Sequence, residues 1–145
     1  MFTQTLKEGL SIAGTPVHGI SASGNQATGT IDMGKFNRAM FVGDIGTLGA
    51  NATVSAWLEQ CVNANGTGNA NITGANITAI SSANKMFTIE IRADQLAATG
   101  TGQYVRCVVN ANVASVVSVV PIGAEARYQP STSNDDASVV QRIVV

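Results

Sequence analysis

Chemistry-bearing side chains are what this sequence has least of. Its 145 residues include one histidine, His18, and only 12% are charged. Aromatics make up 5%, beside two cysteines and three prolines. His18 stands alone in a stretch punctuated by Gly14 and Pro16, with no partners at the positions a catalytic triad or a metal site needs. The eight Lys and Arg are scattered against nine Asp and Glu, and the formal net charge is −1. That pattern excludes a clustered basic face for DNA or RNA. No apolar run approaches the about 18 residues of a membrane span. The first ten residues, MFTQTLKEGL, show no secretory pattern of charged start, apolar centre and small-residue cleavage site. Synthesis and retention in a cytoplasm is therefore the expectation, with the cysteines reduced by default.

What remains is strand-forming. Residues of the AVILMFWYC set reach 45%, and Val, Ile, Thr, Ala and Gly dominate. The length suits one domain, which can bury roughly two-thirds of the surface its unfolded chain exposes. Residues 1–30 are weakly patterned and read as an extended arm or edge strand, with Leu10, Ile12, Val17 and Ile20 as its apolar points and residues 24–29 as a turn. Met40, Phe41 and Val42 mark a buried strand, and residues 46–51 a turn. Residues 52–61 alternate: Ala52, Val54, Ala56 and Leu58 share one face, and Thr53, Ser55, Trp57 and Glu59 the other. Trp57 is the odd member of that polar face, suited to a sheet edge, a subunit contact or packing under a loop.

Residues 63–82 are low in complexity and hold a tandem pentad, NITGA then NITAI. Two copies are too few for a solenoid, so a long, partly β-structured connection between sheets is expected. Four Asn-X-Ser/Thr sequences, at Asn51, Asn65, Asn71 and Asn76, are what chance supplies in a chain this rich in Asn and Thr. Residues 85–92 give the clearest strand, with Phe87, Ile89 and Ile91 on one side. One helical turn follows at 93–96, then a strand over 103–110 and a β-branched run over 115–120 that ends or kinks at Pro121. Residues 129–138 read as a polar loop, and 139–145 as a short apolar strand in need of cover. Seven or eight strands without a long amphipathic helix predict an all-β, antiparallel β-sandwich. It would be jelly-roll or Ig-like, occupying residues 31–145, with an extended N-terminal arm and a C-terminal tail.

A search for chemistry finds little. Asp135 and Asp136 form a carboxylate pair in a loop, short of the six or more oxygens a Ca²⁺ ion usually gathers. Glu90 and Arg92 share a strand face and suit cross-strand ion pairs. Cys61 and Cys107 read as small core residues, with a disulfide between neighbouring strands as the alternative. No glycine-rich loop precedes a helix to cradle a phosphate. No catalytic, cofactor-binding or metal-binding residue is assigned, no cofactor is expected, and the chain is not expected to be an enzyme.

The runs Ile31-Asp32-Met33-Gly34-Lys35-Phe36, Ala52-Thr53-Val54, Ile89-Glu90-Ile91-Arg92-Ala93-Asp94-Gln95-Leu96, Tyr104-Val105-Arg106 and Gly123-Ala124-Glu125-Ala126-Arg127-Tyr128 carry a resemblance. In pattern and spacing they resemble small structural proteins of tailed bacteriophages, over residues 31–145. The resemblance implies a head decoration (cement) protein on the capsid exterior of a virion. Its partners would be the major capsid protein and itself, as a homotrimer, with no nucleic acid and no membrane. No site residue is carried over. Two other phage roles, a head–tail connector or a tail component, fit the same pattern. Outside that class stand a secreted adhesin- or pilin-like domain and a lectin-like sandwich in which Trp57, Tyr104 and Tyr128 stack on sugars.

Overall fold

The computed structural model of the chain describes residues 6–19, 23–97, 102–127 and 141. After one helical turn at Leu6–Gly9, nine strands follow: β1 Leu10–Ile12, β2 Gly24–Ala27, β3 Ile31–Asp32, β4 Phe36–Ile45, β5 Val54–Cys61, β6 Ala70–Ile80, β7 Lys85–Arg92, β8 Tyr104–Ala111 and β9 Val117–Ala126. A single 3₁₀ turn, Ala93–Gln95, sits between β7 and β8. One sheet runs β1-β9-β4-β7 and the other β2-β8-β5-β6, with β3 also on β8. Since β2 and β3 pair with successive parts of β8, they act as one interrupted strand.

Counted that way, eight strands pair from the ends inward: first with last, second with seventh, third with sixth, fourth with fifth. Every pairing is antiparallel. A long hairpin folded in this nested order and rolled into two sheets is a jelly roll. The expected antiparallel sandwich is therefore present, and of the two forms considered it takes the jelly roll.

The core lies between the sheets. Phe36, Phe41, Ile45, Val54, Leu58, Val105, Val109, Val117 and Val119 are essentially inaccessible. Burying each such side chain stabilises the fold by about 1.5–3 kcal/mol. Two glycines shape this layer. A Cβ on Gly43 would collide with the Phe87 ring directly across the ladder, and one on Gly123 would meet the Phe36 ring. Each aromatic occupies the space a side chain would need.

Several segments differ from the sequence reading. Residues 24–27, expected as a turn, form β2, because β8 offers them a free ladder that outweighs the low strand preference of Gly, Asn and Gln. Leu10, Ser11 and Ile12, by contrast, form the edge strand β1 on β9 that was one of the two expectations for this segment, and Val17 bridges to Val119 within the core. Residues 70–80, expected as part of a connection, form an eleven-residue edge strand. Its inward residues Ile72, Ala75, Ile77 and Ile80 are spaced three, two and three apart, since two irregularities break the β5–β6 register. Period two is hidden for that reason. β9 passes through Pro121 instead of stopping there. The Pro121 carbonyl accepts from the Ala13 amide at 3.2 Å, so the side of Pro121 that lacks an N–H faces the end of the short edge strand β1 and not β4, and the β4–β9 ladder is undisturbed. Residues 129–138 and the expected strand at 139–145 lie outside the described residues, Gln141 excepted. Gln141 is exposed and in no strand.

Candidate functional site

On the outer side of the β2-β8-β5-β6 sheet, odd residues of β5 meet even residues of β8. Trp57 lies opposite Val108, Glu59 opposite Arg106 and Cys61 opposite Tyr104. Val108, directly across the ladder from Trp57, is 4% exposed although it points away from the core. The Glu59 carboxylate, itself 7% exposed, joins the row together. It accepts from Trp57 Nε1 at 3.2 Å, from Arg106 Nε at 2.8 Å and from Arg106 Nη2 at 2.7 Å. The Asn63–Thr67 turn closes over the far end. Asn63 Oδ1 accepts from the amides of Asn65 and Thr67, and Gly66, at φ +75°, leaves room for the Arg106 guanidinium. Between Trp57 and β6 lies an open groove of about 540 Å³ walled by Asn71, Ile72, Asn76, Ile77 and Thr78. Its walls are neutral. They can offer hydrogen bonds and one indole face, and they carry no acid or base.

The opposite sheet is built differently outside. Ile12 of β1, Ala124, Ile122 and Val120 of β9, and Met40 and Val42 of β4 form an apolar stripe, all half-buried. It extends to Leu10, Val116 and Met86, which are 42%, 53% and 67% exposed. Charges rim one end. Arg38 pairs with Glu90 at 3.0 Å and with Glu125 at 3.0 Å, and Arg92 pairs with Asp94. The Arg92 hydrogen bond holds the Asp94 carboxyl below its ordinary value. Glu125 adopts φ +52°, an uncommon left-handed conformation for a residue with a side chain.

A second hollow, of about 730 Å³, opens at the end of the sandwich beside Met33, Asp94, Gln103 and Arg127. Gln60 closes its floor by donating to the Ala97 and Gly102 carbonyls at 3.1 and 2.8 Å and accepting from the Ala97 amide at 3.0 Å. These contacts tie the β7–β8 connection to β5.

The residues singled out in the sequence are dispersed. His18 is exposed beside the Val17 bridge. Glu90 pairs across strands with Arg38, whereas Arg92 finds Asp94 two residues along its own chain instead of a cross-strand partner. Cys61 and Cys107 are free and buried, which settles the two readings in favour of packed thiols. Their places, three positions apart along the β5–β8 ladder, put them about 10 Å from one another, beyond disulfide reach. Burial pushes the Cys107 thiol up to about 12 and raises that of Cys61 as well. Trp57 and Tyr104 share a face, but four residues of β8, about 13 Å, separate them. Tyr128, Asp135 and Asp136 lie outside the described residues. No group of three or more His, Cys, Asp or Glu able to hold a metal ion occurs among the described residues. No helix among them is long and apolar enough to cross a membrane. Sequence reasoning missed the apolar outer stripe. Its signal is present in β4 and β9, where apolar residues occupy both alternating faces.

No protein-family model and no curated protein matches the chain. Solved structures do. A chain of the cowpea mosaic virus top component, naturally occurring empty particles, superposes with a TM-score of 0.50 at 9% identity, covering 81% of this chain and 89% of that one. A chain of an empty virus-like particle of the same virus gives 0.44 at 12% identity, covering 79% and 81%. The Yersinia pseudotuberculosis-derived mitogen gives 0.42 at 14%, covering 95% and 99%. At these identities the likeness is one of fold, and the first superposition agrees with the strand pairing in assigning this chain a jelly roll.

Proposed function

We propose that this protein is a structural subunit of a virus particle, and specifically a decoration protein that binds the outside of a capsid through contacts with the major capsid protein. The observation that carries the reading is the nested jelly roll itself, over most of its length superposable on a chain from a virus particle. The phage-like pattern of residues 31–145 supports the same reading. Such a role needs rigid faces multiplied by symmetry in place of one reactive centre. This fold supplies two large sheet faces whose side chains offer packing and hydrogen bonds. A fold alone hosts many functions, so the faces, and not the topology, have to carry the activity.

The test is co-sedimentation of the purified chain with capsid shells assembled from the major capsid protein of the same particle. Saturable binding at a fixed ratio to capsid subunits, with shells surviving heating better when loaded, is the expected result. Shells that pellet without the chain, under salt conditions that preserve both, would overturn it. A mass-spectrometric copy count in purified particles separates this role from a connector or tail component, which is present in far fewer copies.

A further inference from the structure

The outer face of the β1-β9-β4-β7 sheet has no cover among the described residues. An antiparallel sheet with one solvated side shows apolar-in, polar-out alternation. β7 obeys this, with Thr88, Glu90 and Arg92 facing out. The strands β9 and β4 do not: Val120, Ile122 and Ala124 beside Met40 and Val42 are the pattern of strands apolar on both sides. A contiguous apolar patch of this kind on a folded domain marks an interaction surface.

We infer that this face is buried against a second copy of the same chain. Electrostatics separates this partner from others. The bordering Arg38 and Arg92 are already paired within their own chain to Glu90, Glu125 and Asp94, and Asp44 lies exposed on the same face, so the face presents no excess positive charge to attract nucleic acid or an anionic membrane. An apolar centre with a charged, ion-paired rim is the anatomy of a protein interface. β4 and β9 have ten residues each, β7 eight and β1 three, which at about 3.3 Å per residue and about 4.8 Å spacing give a face of roughly 500 Å². Two such surfaces meeting bury about 1,000 Å², at the lower limit for a specific interface, which predicts a contact of micromolar rather than picomolar strength. The surface stands independently of the capsid reading: a chain that self-associates but ignores capsid shells keeps this inference and loses the other.

The experiment is sedimentation velocity on the full 145-residue chain across a concentration series, with Met40→Glu at the middle of the stripe and Leu10→Glu at its margin. Leu10 is already 42% exposed, so its variant keeps the fold even where the central substitution does not. Ala70→Glu, at an exposed position on β6 of the other sheet, is the control. Expected are concentration-dependent association of the wild type, dissociation constants raised at least about tenfold by either stripe variant, and no change for Ala70→Glu. A wild type that stays monomeric at the highest concentration overturns the proposal. Association that ignores both stripe substitutions does so too. A monomeric full chain that begins to associate once residues 128–145 are removed would show that the chain's own C-terminal segment is the cover, and would likewise overturn it.

Discussion

Trp57 and Met40 occupy matching places, mid-strand on the outer sides of the two sheets, and are held by different forces. Trp57 has a hydrogen-bond partner in Glu59, which in turn is locked to Arg106, so its surroundings are complete within one chain. Met40 lies among Val120, Ile122 and Val42, with Glu90 across the ladder on its β7 side, and is itself only half-buried. One face is thus wired by satisfied polar groups and tolerates water. The other would gain by excluding water, as the self-association inferred above does. Polar networks contribute stability to the single chain, whereas on that inference the apolar stripe contributes to assembly.

Substitutions can break this contrast. Glu59→Ala strands the half-buried Arg106 guanidinium and releases the Trp57 indole, and should lower unfolding stability in urea by about 3 kcal/mol. Replacing both Glu59 and Arg106 by leucine should recover most of that loss, because no uncompensated charge then remains. Trp57→Ala removes the indole across the ladder from Val108 and should cost about 2 kcal/mol by the same measurement. Met40→Thr, on the apolar face, should cost under about 1 kcal/mol in a dilute monomer, since the site is already partly solvated. An equal loss at Met40 and Trp57 would remove the distinction between the faces.

Smaller effects sharpen it. Cys107 keeps its proton to about pH 12 when folded, against an ordinary value of 9.0. Its folded value is raised, so its contribution is complete below pH 9 and declines as pH climbs towards 12. Urea midpoints should fall across that window, and less steeply in Cys107→Ala. An aromatic disulfide reagent at pH 8 should label neither cysteine until the chain unfolds. Arg92→Ala, which removes an exposed ion pair, should leave the midpoint unchanged at physiological salt.

Much of the fold was legible in the residues. Strands β5, β7 and β8 could be read with their correct faces because alternation there is clean, as in Phe87, Ile89 and Ile91. β2 was not, because Gly24, Asn25, Gln26 and Ala27 carry turn chemistry and become a strand only when β8 offers a ladder. β6 was obscured by register breaks, which scramble the spacing that reveals a half-buried strand. Pro121 suggested a strand end because its tolerance depends on Ala13, more than a hundred residues earlier. The outer network had the same origin. Glu59 and Arg106 are 47 residues apart, and only the β5–β8 register places them opposite each other.

β9, the last strand of the roll, lies between β1 and β4, while β4 has only β7 on its other side. During synthesis β1 therefore emerges before its neighbour and waits for it until β2 to β8 have left the ribosome. Among the described strands the sheet is closed by the last, like a keystone set from the far end. Folding of this subunit should accordingly be post-translational and slow, dominated by distant pairings. A released chain cut short before residue 117 would retain the β4–β7 pairing and leave β1 without its neighbour.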